Sequence, residues 1–191
     1  MSFIVPTNEC TLSDLKAFRA AAVEAGINQA LAHGIARERS GLVVRHALPF
    51  TDFGALAVNG WQLEAYRNPV IAAAGWGSIF DGSASPLVAP PTLAPSKVAV
   101  FFKFADYTAA PVITGVRFRI GGTGASTLGT FFMQLETGAK LEPDVYFSEP
   151  IVYAPQDVVF IEAYYAAGVA ALGETFAFGC YIVERLGANV S

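Results

Sequence analysis

The chain has 191 residues, 53% of them hydrophobic and only 15% charged, with a formal net charge of −4. Soluble domains usually carry about 25% charged residues, so this chain either enters a membrane or covers part of its outside with other protein subunits. The negative balance and the absence of a basic run argue against nucleic acid or an anionic membrane as the main partner. A membrane-spanning helix needs about 18 consecutive apolar residues, and the longest candidate, Ala163 to Tyr181, is broken by Gly168, Gly173, Glu174 and Gly179.

Met1 to Cys10 shows no basic segment followed by an apolar run and a cleavage site, so folding in a cytoplasm is expected. Thr11 to about Ala25 predicts a helix. Thr11-Leu-Ser-Asp14 begins it in the manner of a capping box, with Asp in place of the usual Glu or Gln. Leu12, Leu15, Phe18 or Ala22, and Val23 recur at helical spacing as its apolar stripe, and Gly26 is expected to end it. A second helical segment is expected from Ile27 to about Ala36, weakened by His33-Gly34.

From Gly41 the period changes, and Leu42 to Leu48 and Ala55 to Trp61 are compatible with strands. Gly75 to Ser96 contains Gly77, Gly82, Pro86, Pro90, Pro91 and Pro95, which predicts a long loop or linker. Strands are then expected at Val98 to Phe104, Val112 to Ile120, Gly129 to Leu135, Val145 to Phe147, Val158 to Tyr165 and Thr175 to Glu184, with turn residues between them. In the second of these, Val116, Phe118 and Ile120 share one face and Arg117 and Arg119 the other. Short strands without intervening helices predict a mainly β, antiparallel sandwich or barrel over 97–191, preceded by an N-terminal helix and extended arm over 1–96.

Residues that could carry chemistry are few. His33 and His46 both lie upstream of the main β region, without a Gly-x-Ser-x-Gly elbow or the spacing of a zinc site. Gly121-Gly-Thr-Gly-Ala-Ser-Thr-Leu-Gly129 lacks the Gly-Lys-Ser/Thr ending of a phosphate loop and reads as a turn. Glu136, Glu142, Asp144 and Glu149 cluster without a calcium-loop pattern and read as solvated. Cys10 and Cys180, at opposite ends of the chain, read as small apolar residues rather than a disulfide framework. No catalytic set, cofactor site or metal site is expected, and the chain is read as a non-enzyme. Exposed aromatic candidates for a sugar platform are Trp61, Trp76, Tyr107, Tyr146 and Tyr153.

Three stretches, Ile113 to Phe132, Glu149 to Val158 and Phe178 to Glu184, give the segment from about Val98 to Gly187 a resemblance to the capsid decoration or cement proteins of tailed phages. The resemblance implies a jelly-roll-like β-sandwich that needs no cofactor, forms a homotrimer on the virion surface and clamps subunits of the major capsid protein. The expectation is therefore a virion structural protein made in the host cytoplasm. Phe18, Phe50, Phe53, Trp61 and Trp76 are its candidate interface anchors. The alternative is a carbohydrate- or receptor-binding module built on the same sandwich.

Overall fold

A computed structural model describes residues 4–48, 52–53, 66–67, 71–79, 91–109, 111–121, 126–132, 144–170 and 173–187. In chain order these form β1 (Ile4–Pro6), α1 (Leu12–Ala32), β2 (Leu42–His46), β3 (Tyr66–Arg67), β4 (Gly75–Ser78), β5 (Lys97–Asp106) and β6 (Ile113–Ile120). They continue with β7 (Thr127–Phe132), β8 (Asp144–Tyr153), β9 (Val159–Tyr165) and β10 (Thr175–Arg185). One sheet has the order β1-β8-β5-β10-β2, with β3 also paired to β10, and the other has the order β4-β9-β6-β7. Every pairing is antiparallel. From β3 onward the chain runs through the two sheets in the double Greek-key path of a jelly roll.

Alternation explains how the sheets close on each other. On β10, Phe176, Phe178, Cys180 and Ile182 point inward, and on β6 Val116 and Phe118 do the same. The space between the sheets is filled by rings. Phe101 lies at its centre, 5.5 Å from Phe53, 5.4 Å from Phe118, 5.8 Å from Tyr153 and 5.6 Å from Phe178 between ring centroids. Each such side chain stabilises the fold by about 2–3 kcal/mol through burial alone. Tyr153 brings its hydroxyl into this interior by donating to the carbonyls of Arg119 at 3.0 Å and Phe160 at 3.2 Å.

The opposite face of the first sheet is also apolar, and α1 covers it. Ala22, Ala30 and Ile35 pack with Val98, Val100, Phe102, Tyr146 and Val183. The helix starts as expected, with Thr11 N–H donating to Asp14 at 2.8 Å and Asp14 N–H to Thr11 Oγ1 at 3.2 Å. It then runs through Gly26 instead of stopping there. A β-carbon on Gly26 would lie 2.7 Å from Val183 and 2.8 Å from Val100, so this glycine is the point of closest approach between helix and sheet. The true end is at Gly34, whose φ of +68° is open to glycine. Gly34 N–H bonds to Leu31 O and Ile35 N–H to Ala30 O, each at 3.0 Å. That is a Schellman close, with Ile35 packed in the same cluster as Ala30. Leu12, expected in the apolar stripe, is instead 68% exposed in the first turn.

Three strand expectations change. Gly75–Ser78, expected within a loop, pairs with β9 as an edge strand. β8 continues past Phe147 through Pro150 to Tyr153. Its register against β5 shifts between Phe101 and Lys103, and a bulge is where a strand tolerates proline. The described residues of 1–96 belong to the sandwich rather than to a separate arm. β1 pairs with β8, β2 and β3 with β10, and β4 with β9. Unpaired strand edges and a bare apolar sheet face would both be costly, and these elements cover them. The candidate strand from Ala55 to Trp61 lies outside the described residues.

Four charges hold Asp52, and with it Leu48 and Phe53, onto the sheet end. Arg45 reaches both Asp52 oxygens at 2.7 Å and Glu184 at 2.8 Å, and Lys97 lies 3.1 Å from Asp52. Burial alone would raise the Asp52 carboxyl. Hydrogen bonds from Arg45, the Leu48 N–H and Lys97 outweigh it and hold the carboxyl below its ordinary range. The adjacent Phe53 is thereby delivered into the core.

Candidate functional site

The outer face of the second sheet gathers the chain's most distinctive side chains. Trp76 of β4 stands opposite Tyr164 of β9, Tyr164 opposite Gly115 of β6, and Gly115 opposite Phe132 of β7. Gly115 is what joins the rings. A β-carbon there would lie 3.0 Å from the Phe132 ring, so the missing side chain lets Phe132 lean across β6. Trp76 then sits 5.3 Å from Tyr164 and 5.6 Å from Phe132, edge to face in both cases, an arrangement that suits the charge distribution of aromatic rings.

One register step along, charge is laid beside these rings. Arg117 donates to Glu162 at 2.7 Å and holds its guanidinium 4.3 Å from the Trp76 ring centre, a cation–π contact. Arg119 reaches the same Glu162 carboxylate at 3.3 Å. Two arginines thus share one carboxylate on this face.

Beside these charges the surface becomes apolar again. Leu128 and Phe132 project from β7 and are 36% and 39% exposed. β7 is an edge strand among the described residues, and Thr127–Phe132 contains no charged side chain or proline. Edges that must stay unpaired usually carry such blunting residues.

The candidate anchors fall in different places. Trp76 belongs to this face. Phe53 is buried in the sandwich core, and Phe18 stacks on Tyr146 at 5.3 Å beneath α1, so both rings pack within the chain. Phe50 and Trp61 lie outside the described residues. Of the sugar-platform candidates, Tyr146 and Tyr153 are buried and Tyr107 is 66% exposed. Tyr164 and Phe132 were not singled out from sequence. The signal was present in Phe160, Glu162 and Tyr164 at alternate positions, and in the adjacent pair Phe131 and Phe132, of which one must face in and the other out.

The remaining chemistry-bearing residues are dispersed. His33 caps α1 and its ring meets Gln29 at 3.1 Å, while the His46 ring packs on Tyr181. Asp144 pairs with Lys103 at 2.8 Å. Ile120 N–H bonds to Ser126 O at 3.1 Å, and residues 122–125 of the glycine-rich segment lie outside the described residues. Cys10 and Cys180 are free thiols. Among the described residues no three His, Cys, Asp or Glu side chains gather as a metal site, and no helix is long and apolar enough to cross a membrane. On the first sheet, His46, Lys103, Ala105, Tyr107, Ala177 and Gly179 line an open groove of about 470 Å³.

No protein-family model matches this chain, and no curated protein matches it.

Proposed function

We propose that the chain is a virion structural protein, a capsid decoration subunit that associates with itself as a homotrimer and bridges subunits of the major capsid protein. The observation that carries this reading is the uncharged β7 edge with its exposed Leu128 and Phe132, continuous with the Trp76 and Tyr164 rings. A jelly roll whose interior is packed with phenylalanine rings acts through its outside. Apolar contact gains about 25 cal/mol for each Å² removed from water. Modest patches of this kind become firm attachment when a closed ring of copies presents several at once. The low charge of the whole chain fits a molecule that hides surface against neighbours.

The rival reading, a glycan- or receptor-binding module, needs an open aromatic face for a sugar to stack on. Arg117 already lies against the Trp76 ring, which favours the assembly role.

The test uses undecorated shells of the virus whose genome encodes the chain. Purified protein should cosediment with them up to a fixed ratio to the major capsid protein. The Leu128→Glu, Phe132→Glu double variant should bind at least about tenfold more weakly. Protein that stays in the supernatant at every concentration would contradict the proposal.

A further inference from the structure

Two arginines stand apart from the ion pairs described above. Arg37 and Arg185 line an open cleft of about 520 Å³ where the C-terminal end of α1, the approach to β2 and the end of β10 meet. Both are exposed, and neither side chain has an ion-pair or hydrogen-bond partner among the described residues. Ser40 lines the same cleft with its hydroxyl likewise without a partner among those residues. Glu38 is the one carboxylate among the lining residues, so the cleft sets two positive charges against one negative on a chain whose net charge is −4.

Backbone geometry brings the two arginines to one place. Val183 packs beneath α1, and Arg185, two residues further along β10, shares its face of the sheet. Gly34 turns the chain out of α1, and Ile35 anchors the turn by packing with Ala30. The link to β2 then folds back over the end of β10. Gly41 N–H donates to Glu38 O at 3.0 Å, and Leu186 N–H donates to Gly41 O at 2.9 Å. Arg39, in the same link, is taken up by Glu24 of α1, which leaves Arg37 and Arg185 as the cations free to bind. Leu186, next to Arg185, is 63% exposed, so an apolar side chain stands beside the charges.

A carboxylate offers a guanidinium two acceptor oxygens in one plane, and such charge-assisted bonds are stronger than neutral ones. We propose that this cleft receives an acidic segment of a protein partner, its Asp or Glu carboxylate bound by Arg37 and Arg185 and a neighbouring apolar side chain resting on Leu186. The inference rests on the decoration reading above, which makes that segment part of the major capsid protein. It also gives the two surfaces different tasks. The β7 edge, in the second sheet, serves self-association, and the cleft, on the side of the first sheet that α1 covers, serves attachment. A nucleic-acid backbone fits less well, because Glu38 and the net negative charge of the chain repel a long polyanion and its phosphates leave Leu186 uncovered.

The experiment compares the natural full chain with the double variant Arg37→Glu, Arg185→Glu. The variant should keep the natural chain's mass by light scattering, since β7 is untouched, yet bind undecorated shells at least about tenfold more weakly. Raising the salt from about 0.05 M to about 0.5 M should weaken shell binding by the natural chain and not by the variant. Equal binding by the two proteins, with equal salt dependence, would overturn the proposal. If charge reversal unfolds the chain, Arg37→Gln, Arg185→Gln takes its place, with the same outcomes. A natural chain that binds no shell would overturn the decoration reading, and the cleft is then decided by fluorescence anisotropy with a labelled peptide of alternating glutamate and leucine. That peptide should bind the natural chain and not the variant, and failure to bind the natural chain would overturn the proposal. Displacement of the peptide by an equal concentration of inorganic phosphate would overturn it as well, by assigning the cleft to phosphate.

Discussion

Asp52 shows how much one side chain can organise. Its carboxylate is fully buried, yet it holds Arg45, Lys97 and the Leu48 N–H at once, and the next residue enters the core. Replacing Asp52 with Ala should destabilise the fold by about 1.5–3 kcal/mol near neutral pH, because the Leu48 N–H loses its acceptor and Arg45 and Lys97 are left sharing Glu184. Since the carboxyl titrates lower in the folded state, its contribution is present above the unfolded value of about 4 and is lost as pH falls through the folded value. Denaturant melts at neutral and acidic pH check this, and the difference between natural chain and variant should shrink on acidification. Trp76 shows the other side of residue-scale reading. Its strand neighbours Gly75 and Gly77 hide the period-two pattern, so the sequence marked it as aromatic without revealing that it belongs to a sheet.

At the scale of elements, legibility followed alternation. β5, β6, β9 and β10 announce themselves through runs of Val, Ile and Phe, and their boundaries shift by only a residue or two. β8 extends beyond its sequence signal because Pro150 conceals the bulge that accepts it. Backbone propensity marks Gly26 as a helix stop, whereas its role is the space it leaves. Gly26→Ala separates the two effects. Helix propensity alone predicts a gain of about 1 kcal/mol, but the contacts with Val183 and Val100 lead us to expect a loss of about 1–3 kcal/mol. Chemical denaturation reads the sign directly, and a stabilised variant would show that α1 is not held at that distance. The aromatic face was legible only in parts, because it is assembled from four strands and depends on the gap at Gly115.

The described residues form a three-layer stack, with α1 on one sheet and the second sheet presenting its outer face beyond the aromatic interior. The surface of that second sheet divides in two. The Arg117, Arg119 and Glu162 charges bond among themselves, while the uncharged β7 edge carries exposed apolar side chains. Internal neutralisation of this kind lowers the cost of bringing another protein against the face, because fewer unpaired charges need to be stripped of water. We propose that this face makes the chain an assembling subunit. Light scattering after size exclusion tests it most directly. The expected mass is three times that of the chain, reduced to a single chain with unchanged circular dichroism in the Leu128→Glu, Phe132→Glu variant. A natural chain that remains a monomer at every concentration, or a trimer indifferent to both substitutions, would contradict it.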